Sequence, residues 1–169
     1  MGGLVEGSVG AGYAPGGLRI ANDGDAGRIA SLSRVRSVRR PEMTIAAGVL
    51  IAMHGLVHAM YVGQALRWFE LRDGMAWPAG ARFLSAIPDT ALRVSAAITV
   101  GVSSLALVAG GIGIAMDAGW GPAVALVAAI AVSVAHLVLW DGDMKTFPDQ
   151  GLYGIVINVV IVVWIVATY

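Results

Sequence analysis

Three histidines are the residues of this 169-residue chain whose type and placement suggest chemistry. His54 and His58 stand four apart in an apolar stretch, so on a helix they share one face, one turn above the other. Such a pair can chelate one metal ion from a single face. With His136 as a third ligand and Asp141 and Asp143 close by, the set would suit a divalent metal. The i,i+4 pair cannot furnish both axial ligands of one haem, which must approach from opposite faces. Haem would need one of His54 or His58 together with His136. Proton or substrate handling is a further use for buried imidazoles. The leading expectation is plainer: the histidines hydrogen-bond neighbouring helices, with Asn158 as a partner.

The elements that must position these residues are four apolar runs, at about 43–66, 94–116, 122–140 and 152–169. As helices they would be roughly 27–36 Å long, against a hydrocarbon core of ~30 Å. None contains a charge, and each is apolar nearly all round, as a lipid-embedded helix must be. Composition agrees, with 57% hydrophobic and only 13% charged residues, where soluble domains carry about 25% charge. The expected fold is therefore all-α, an integral membrane four-helix bundle in a multi-pass protein of a bacterial cytoplasmic membrane.

Depth along these helices can be read from the sequence. His58 lies about 10 Å and His54 about 16 Å from the first-loop end of their span. His136 lies about 6 Å and Asn158 about 10 Å from the third-loop face. The first and third loops share a side, so His58, His136 and Asn158 fall at similar depth. The polar residues expected to cluster inside the bundle are His54, His58, Tyr61, Gln64, His136 and Asn158. Ser95, Ser103, Ser104 and Ser133 are expected to bond back to their own helices.

Punctuation supports the division. Pro88-Asp89-Thr90 is a helix-start signal, and Asp117-Ala118-Gly119-Trp120-Gly121-Pro122 is a tight turn joining two spans. Asp141-Gly142-Asp143 and Pro148-Asp149-Gln150-Gly151 bracket the third loop. Small residues recur at Ala125, Ala129 and Ser133, at Ala131 and Ala135, and at Ala106, Gly110 and Gly113, as close helix packing requires. Trp68, Trp77, Trp120, Trp140 and Tyr153 are placed as an interfacial aromatic belt. The long first loop, 67–93, is expected to lie partly in the headgroup plane, with a lid over a site between the helices as its alternative.

Residues 1–42, rich in Gly and Arg, read as a disordered basic tail. Six arginines there, against five basic residues in the first and third loops, favour cytoplasmic termini. Met43 is an alternative start, which would leave the count at zero against five and turn both termini outward.

Several function classes are excluded. The chain has no cysteine, hence no thiolate chemistry, and its net charge of zero gives no field for nucleic acid. It has no phosphate loop, dinucleotide glycine pattern, zinc-protease motif or serine elbow. The segments His54-Gly55-Leu56-Val57-His58 and Tyr153-Gly154-Ile155-Val156-Ile157-Asn158 resemble the DoxX-like group of small four-helix bacterial membrane proteins. The resemblance implies the four-helix fold and carries no functional residue. The expectation is a non-catalytic helical subunit or homo-oligomer in the lipid bilayer, or one acting with a membrane partner subunit. The alternatives are a metal- or haem-binding redox protein, and a small oligomeric transporter or proton-conducting protein. No cofactor is required by the sequence.

Overall fold

The computed structural model describes residues 41–70, 73, 75–78 and 80–169. These form four long helices: α1 (Pro41–Ala65), α2 (Asp89–Ala115), α3 (Gly121–Val138) and α4 (Tyr153–Thr168). A wide turn of π-helical character, Pro148–Leu152, leads into α4. There is no strand among the described residues. All four helices, the last taken with its leading turn, are long and apolar enough to cross a membrane.

The helix ends differ from the hydropathy boundaries in ways that local chemistry explains. The expected tail lies mostly outside the described residues, but its last two residues, Pro41 and Glu42, are the first turn of α1. Proline suits the first helical position because its missing N–H would have no partner there, and an acidic residue complements the helix dipole. Helix α2 begins at Asp89, five residues before the apolar run expected from 94. Arg93 and Asp89, one turn apart, pair at 3.6 Å and bring two charges into the head of this helix.

Two helices stop in the same way. Arg67 donates its N–H to the Gln64 carbonyl and Trp68 to that of Gly63, both at 2.9 Å, with Arg67 at φ 60°. Asp117 and Ala118 repeat the pattern after α2, bonding Ile114 and Gly113 with Asp117 at φ 55°. Both are Schellman ends, in which a left-handed residue lets two otherwise orphaned carbonyls be satisfied. The first of them folds Phe69 back over Gly63, where any side chain would collide with the Phe69 ring.

α1 packs most extensively on α2, α2 on α3, and α4 mainly on α3. The α1–α2 contact is backbone to backbone: a Cβ on Gly111 would stand 2.5 Å from the Gly48 carbonyl oxygen and the Ala52 nitrogen. Gly110 meets Ala125, and Gly113 meets Gly121, across the α2–α3 contact. Of the small-residue ridges read from the sequence, Ala125, Ala129, Gly110 and Gly113 are buried, while Ala131 is exposed. The second ridge of α3 therefore does not form, because Ala131 falls on the outward side of a helix whose inward side already carries Ala128, Val132 and Ala135. Large apolar side chains cover the outside, among them Leu50, Leu105, Val127 and Val163.

Gly111→Ala should destabilise the protein by about 1–3 kcal/mol, because its new methyl meets backbone that has nowhere to move. Gly119→Ala, in open space, should change stability by less than about 0.5 kcal/mol. Thermal melting of the two variants in the same detergent checks the contrast.

Candidate functional site

Three of the four helices place polar side chains at one point, and the last turn before α4 supplies a carbonyl. His54 and His58 come from α1, Ser133 and His136 from α3, and Asn158 from α4. His58, His136 and Asn158 are essentially inaccessible, and His54 is nearly so. Close approach of α4 is possible because position 154 is glycine: a Cβ there would sit 2.8 Å from His58 Cε1.

The rings and the carboxamide are joined in a continuous string. Gln150 O lies 3.0 Å from His136 Nδ1, His136 Nε2 lies 3.2 Å from His58 Nδ1, and His58 Nε2 lies 3.1 Å from His54 Nε2. Asn158 closes the end, its Oδ1 3.0 Å from His54 Nε2 and its Nδ2 3.3 Å from His58 Nε2. Asn158 Nδ2 also donates to Ser133 Oγ at 3.0 Å, and that hydroxyl donates to the Ala129 carbonyl at 2.8 Å.

Proton positions follow from the fixed acceptors. A neutral imidazole has one N–H and one bare nitrogen. The Gln150 carbonyl only accepts, so His136 carries its proton on Nδ1 and accepts at Nε2. His58 must then donate from Nδ1, which leaves its Nε2 bare to accept from Asn158 and His54. His54 has one proton on Nε2, which it shares between His58 Nε2 and Asn158 Oδ1. With every ring neutral, both nitrogens of His58 and His136 are satisfied, as buried polar groups need to be.

The loop-side end of the string is a second small network. Gln150 Nε2 donates to Asp141 Oδ2 at 2.6 Å and contacts Thr146 Oγ1 at 3.1 Å. Asp141 also accepts from the Asp143 backbone and from Thr146. The Asp143 carboxylate accepts from the Lys145 backbone and its carbonyl from the Trp140 indole and Thr146, all within the loop and away from the histidines. One residue, Gln150, therefore joins the loop to the core: its side chain holds Asp141 while its carbonyl holds His136. Gly151, at φ 121°, makes this possible. A Cβ there would fall 2.5 Å from His136 Nδ1, and the conformation itself disfavours any side chain.

Aromatic rings cover His136. Tyr61 meets it edge-on at 4.6 Å and Trp77 lies 5.1 Å away at a tilt of 41°. Tyr61 donates its hydroxyl to the Asp149 carbonyl at 3.2 Å. Trp77 is wholly buried, which corrects its assignment to an interfacial belt. The first loop folds inward at this point and packs the indole against Tyr61 and His136. Trp68, Trp120 and Tyr153 are exposed, as the belt requires. Gln64 is buried but separate from the string, its amide nitrogen 3.7 Å from the Met75 sulfur. Gln64 Oε1 and Trp77 Nε1 are the buried side-chain atoms without a hydrogen-bond partner among the described residues.

The geometry bears directly on the ligand sets expected from the sequence. An imidazole presents one nitrogen to any one ion. His58 turns Nε2 towards His54 and Nδ1 towards His136, so the three rings form a line and do not converge on a point. No group of three or more His, Cys, Asp or Glu side chains is arranged to hold a metal ion among the described residues. Haem between α1 and α3 does not fit either, because His58 and His136 bond directly, with ring centres 5.2 Å apart. Residues that sequence reasoning missed are Ser133, read as bonding only within its helix, and Gln150, read only as loop punctuation.

Comparison with protein-family models, curated proteins and solved structures finds no match to the chain.

Asn158→Leu keeps the volume but strips bonds from three partners. It should lower the unfolding free energy by about 1–3 kcal/mol, while Val159→Leu, on the exposed side of α4, should stay within about 0.5 kcal/mol of the parent. Reversible unfolding in mixed micelles measures both.

Proposed function

We propose that this chain is a multi-pass membrane protein without catalysis of its own, a helical subunit whose histidine string is an internal lock. Lipid is the natural solvent for its four apolar helices. The observation that carries the reading is the closure of the polar cluster: His58 and His136 spend every nitrogen on other protein groups. A site for substrate would leave a donor or acceptor open towards a cavity. The mainly apolar outer faces then serve association in the bilayer, with a second copy or a partner subunit. The likeness of His54–His58 and Tyr153–Asn158 to DoxX-like proteins is part of this proposal and fits its four-helix form.

Mild-detergent purification with metal analysis, beside a His54/His58/His136 triple alanine variant, tests the lock. Sub-stoichiometric iron, copper and zinc in the parent, with a less stable variant, is the expected outcome; near-stoichiometric metal lost in the variant would overturn it. Cross-linking in native membranes should trap a dimer or a heteromeric complex, and monomers alone would remove the association half of the proposal.

Proton handling is a second reading, favoured by one observation. The nitrogens of three imidazoles run unbroken from Asn158 to Gln150, beside the loop carboxylate of Asp141. His58 and His136 can each take a proton on one nitrogen and release one from the other, while His54 enters the string through Nε2 alone. In proteoliposomes this reading expects a proton flux above protein-free vesicles that His58→Ala abolishes. Flux unchanged by that substitution would end it.

A further inference from the structure

Two unmet hydrogen bonds lie where the first loop closes over the histidine string. The Trp77 indole Nε1 and the Gln64 side-chain Oε1 are both buried without a partner. One can only donate and the other only accept. Both belong to a single contact between α1 and the loop. Gln64 Nε2 lies 3.7 Å from the sulfur of Met75, two residues before Trp77. The Tyr61 ring, three residues before Gln64 on α1, meets the Trp77 indole edge-on at 5.2 Å. Neither unpaired atom presents surface against which a water could sit, so nothing relieves them where they stand. A buried polar group left unpaired weakens the state that contains it by about tenfold or more.

Side-chain packing is what holds the indole in. Residues 75–78 belong to no helix, and their backbone makes no hydrogen bond among the described residues. The next backbone tie is Arg82, whose N–H donates to the Trp140 carbonyl at 3.1 Å. The amide–sulfur contact of Gln64 is weak, because a thioether is a poor acceptor. An indole on the loop side of a membrane bundle also has a second favourable place, the boundary, with its ring on apolar surface and its N–H in water. Moving there would satisfy Trp77 and open the Gln64 oxygen to water in one step, while the lost packing on Tyr61 and His136 opposes the move. The ring that would leave stands 5.1 Å from His136, the last imidazole of the string.

We propose that Trp77 is a releasable stopper on the loop-side end of the histidine string. In the released form its indole N–H and the Gln64 side-chain oxygen bond water, and water gains access to His136. The stopper would serve a string that only locks the bundle and one that moves protons alike, so it rests on neither reading.

The full chain, its five tryptophans labelled as 5-fluorotryptophan, would be examined by fluorine NMR in lipid nanodiscs with a water-soluble gadolinium chelate. The Trp77 resonance is the one missing from Trp77→Phe. In the parent the chelate should broaden it through transient release. Gln64→Met keeps the length of the side chain and removes the unpaired oxygen, so the sealed form gains and the broadening should fall by about tenfold. On nitrogen-labelled samples, the His136 Nδ1–H should exchange with heavy water about tenfold more slowly in Gln64→Met than in the parent, and faster in Trp77→Ala. The His54 N–H, bonded to Asn158 at the other end of the string, is the reference. A Trp77 resonance that the chelate affects equally in the parent and Gln64→Met overturns the proposal. So does His136 exchange that is equal in those two proteins, or that changes only in step with His54, which marks unfolding of the whole bundle. These comparisons need only Gln64→Met, so they stand even where Trp77→Ala does not fold.

Discussion

A buried imidazole must find a partner, and in this protein the partners are one another. Three rings and a carboxamide within apolar helices leave no solvent to satisfy them, and each unmade bond would cost on the order of 1–3 kcal/mol. The string from Asn158 to Gln150 resolves that demand, and much of the architecture serves it. Gly154 lets α4 approach His58, Gly151 brings a carbonyl onto His136, and Tyr61 and Trp77 cover that ring. Each of these local choices would look arbitrary on its own.

The string also explains why the loops are ordered around it. Asp141 does not touch a histidine, but it fixes the Gln150 side chain, and the Gln150 backbone fixes the proton position of His136. That assignment passes to His58, because a neutral ring that donates from one nitrogen must accept at the other. The Gln150 carbonyl thus sets donor and acceptor roles in two rings while contacting only the first. The same economy appears at the helix ends, where Arg67 and Asp117 accept a left-handed backbone so that helix carbonyls stay bonded.

The helices were legible in the sequence because a run of about 20 apolar residues permits few other readings. Their ends were less so: hydropathy reports the apolar centre, and α2 carries Asp89 and Arg93 ahead of it as an intrahelical pair. Depth counting brought His58, His136 and Asn158 to one level, where the structure joins them. It could not reveal whether rings at one level converge on a point or stand in line, since that depends on helix rotation. Trp77 was misread because an indole suits a lipid boundary and a protein interior equally well. Gln150 was passed over because its essential contribution is a backbone carbonyl, which every residue possesses.

Helix α4 is greasy on every side, and between Tyr153 and Thr168 its sequence is dominated by valine and isoleucine. A rod so uniform has little to distinguish one angular setting about its long axis from another. Asn158 breaks that symmetry, because a single direction satisfies the carboxamide. It acts as the key on a shaft. The outward positions of the helix then demand only apolar bulk, while position 158 demands a side chain that can donate and accept at once.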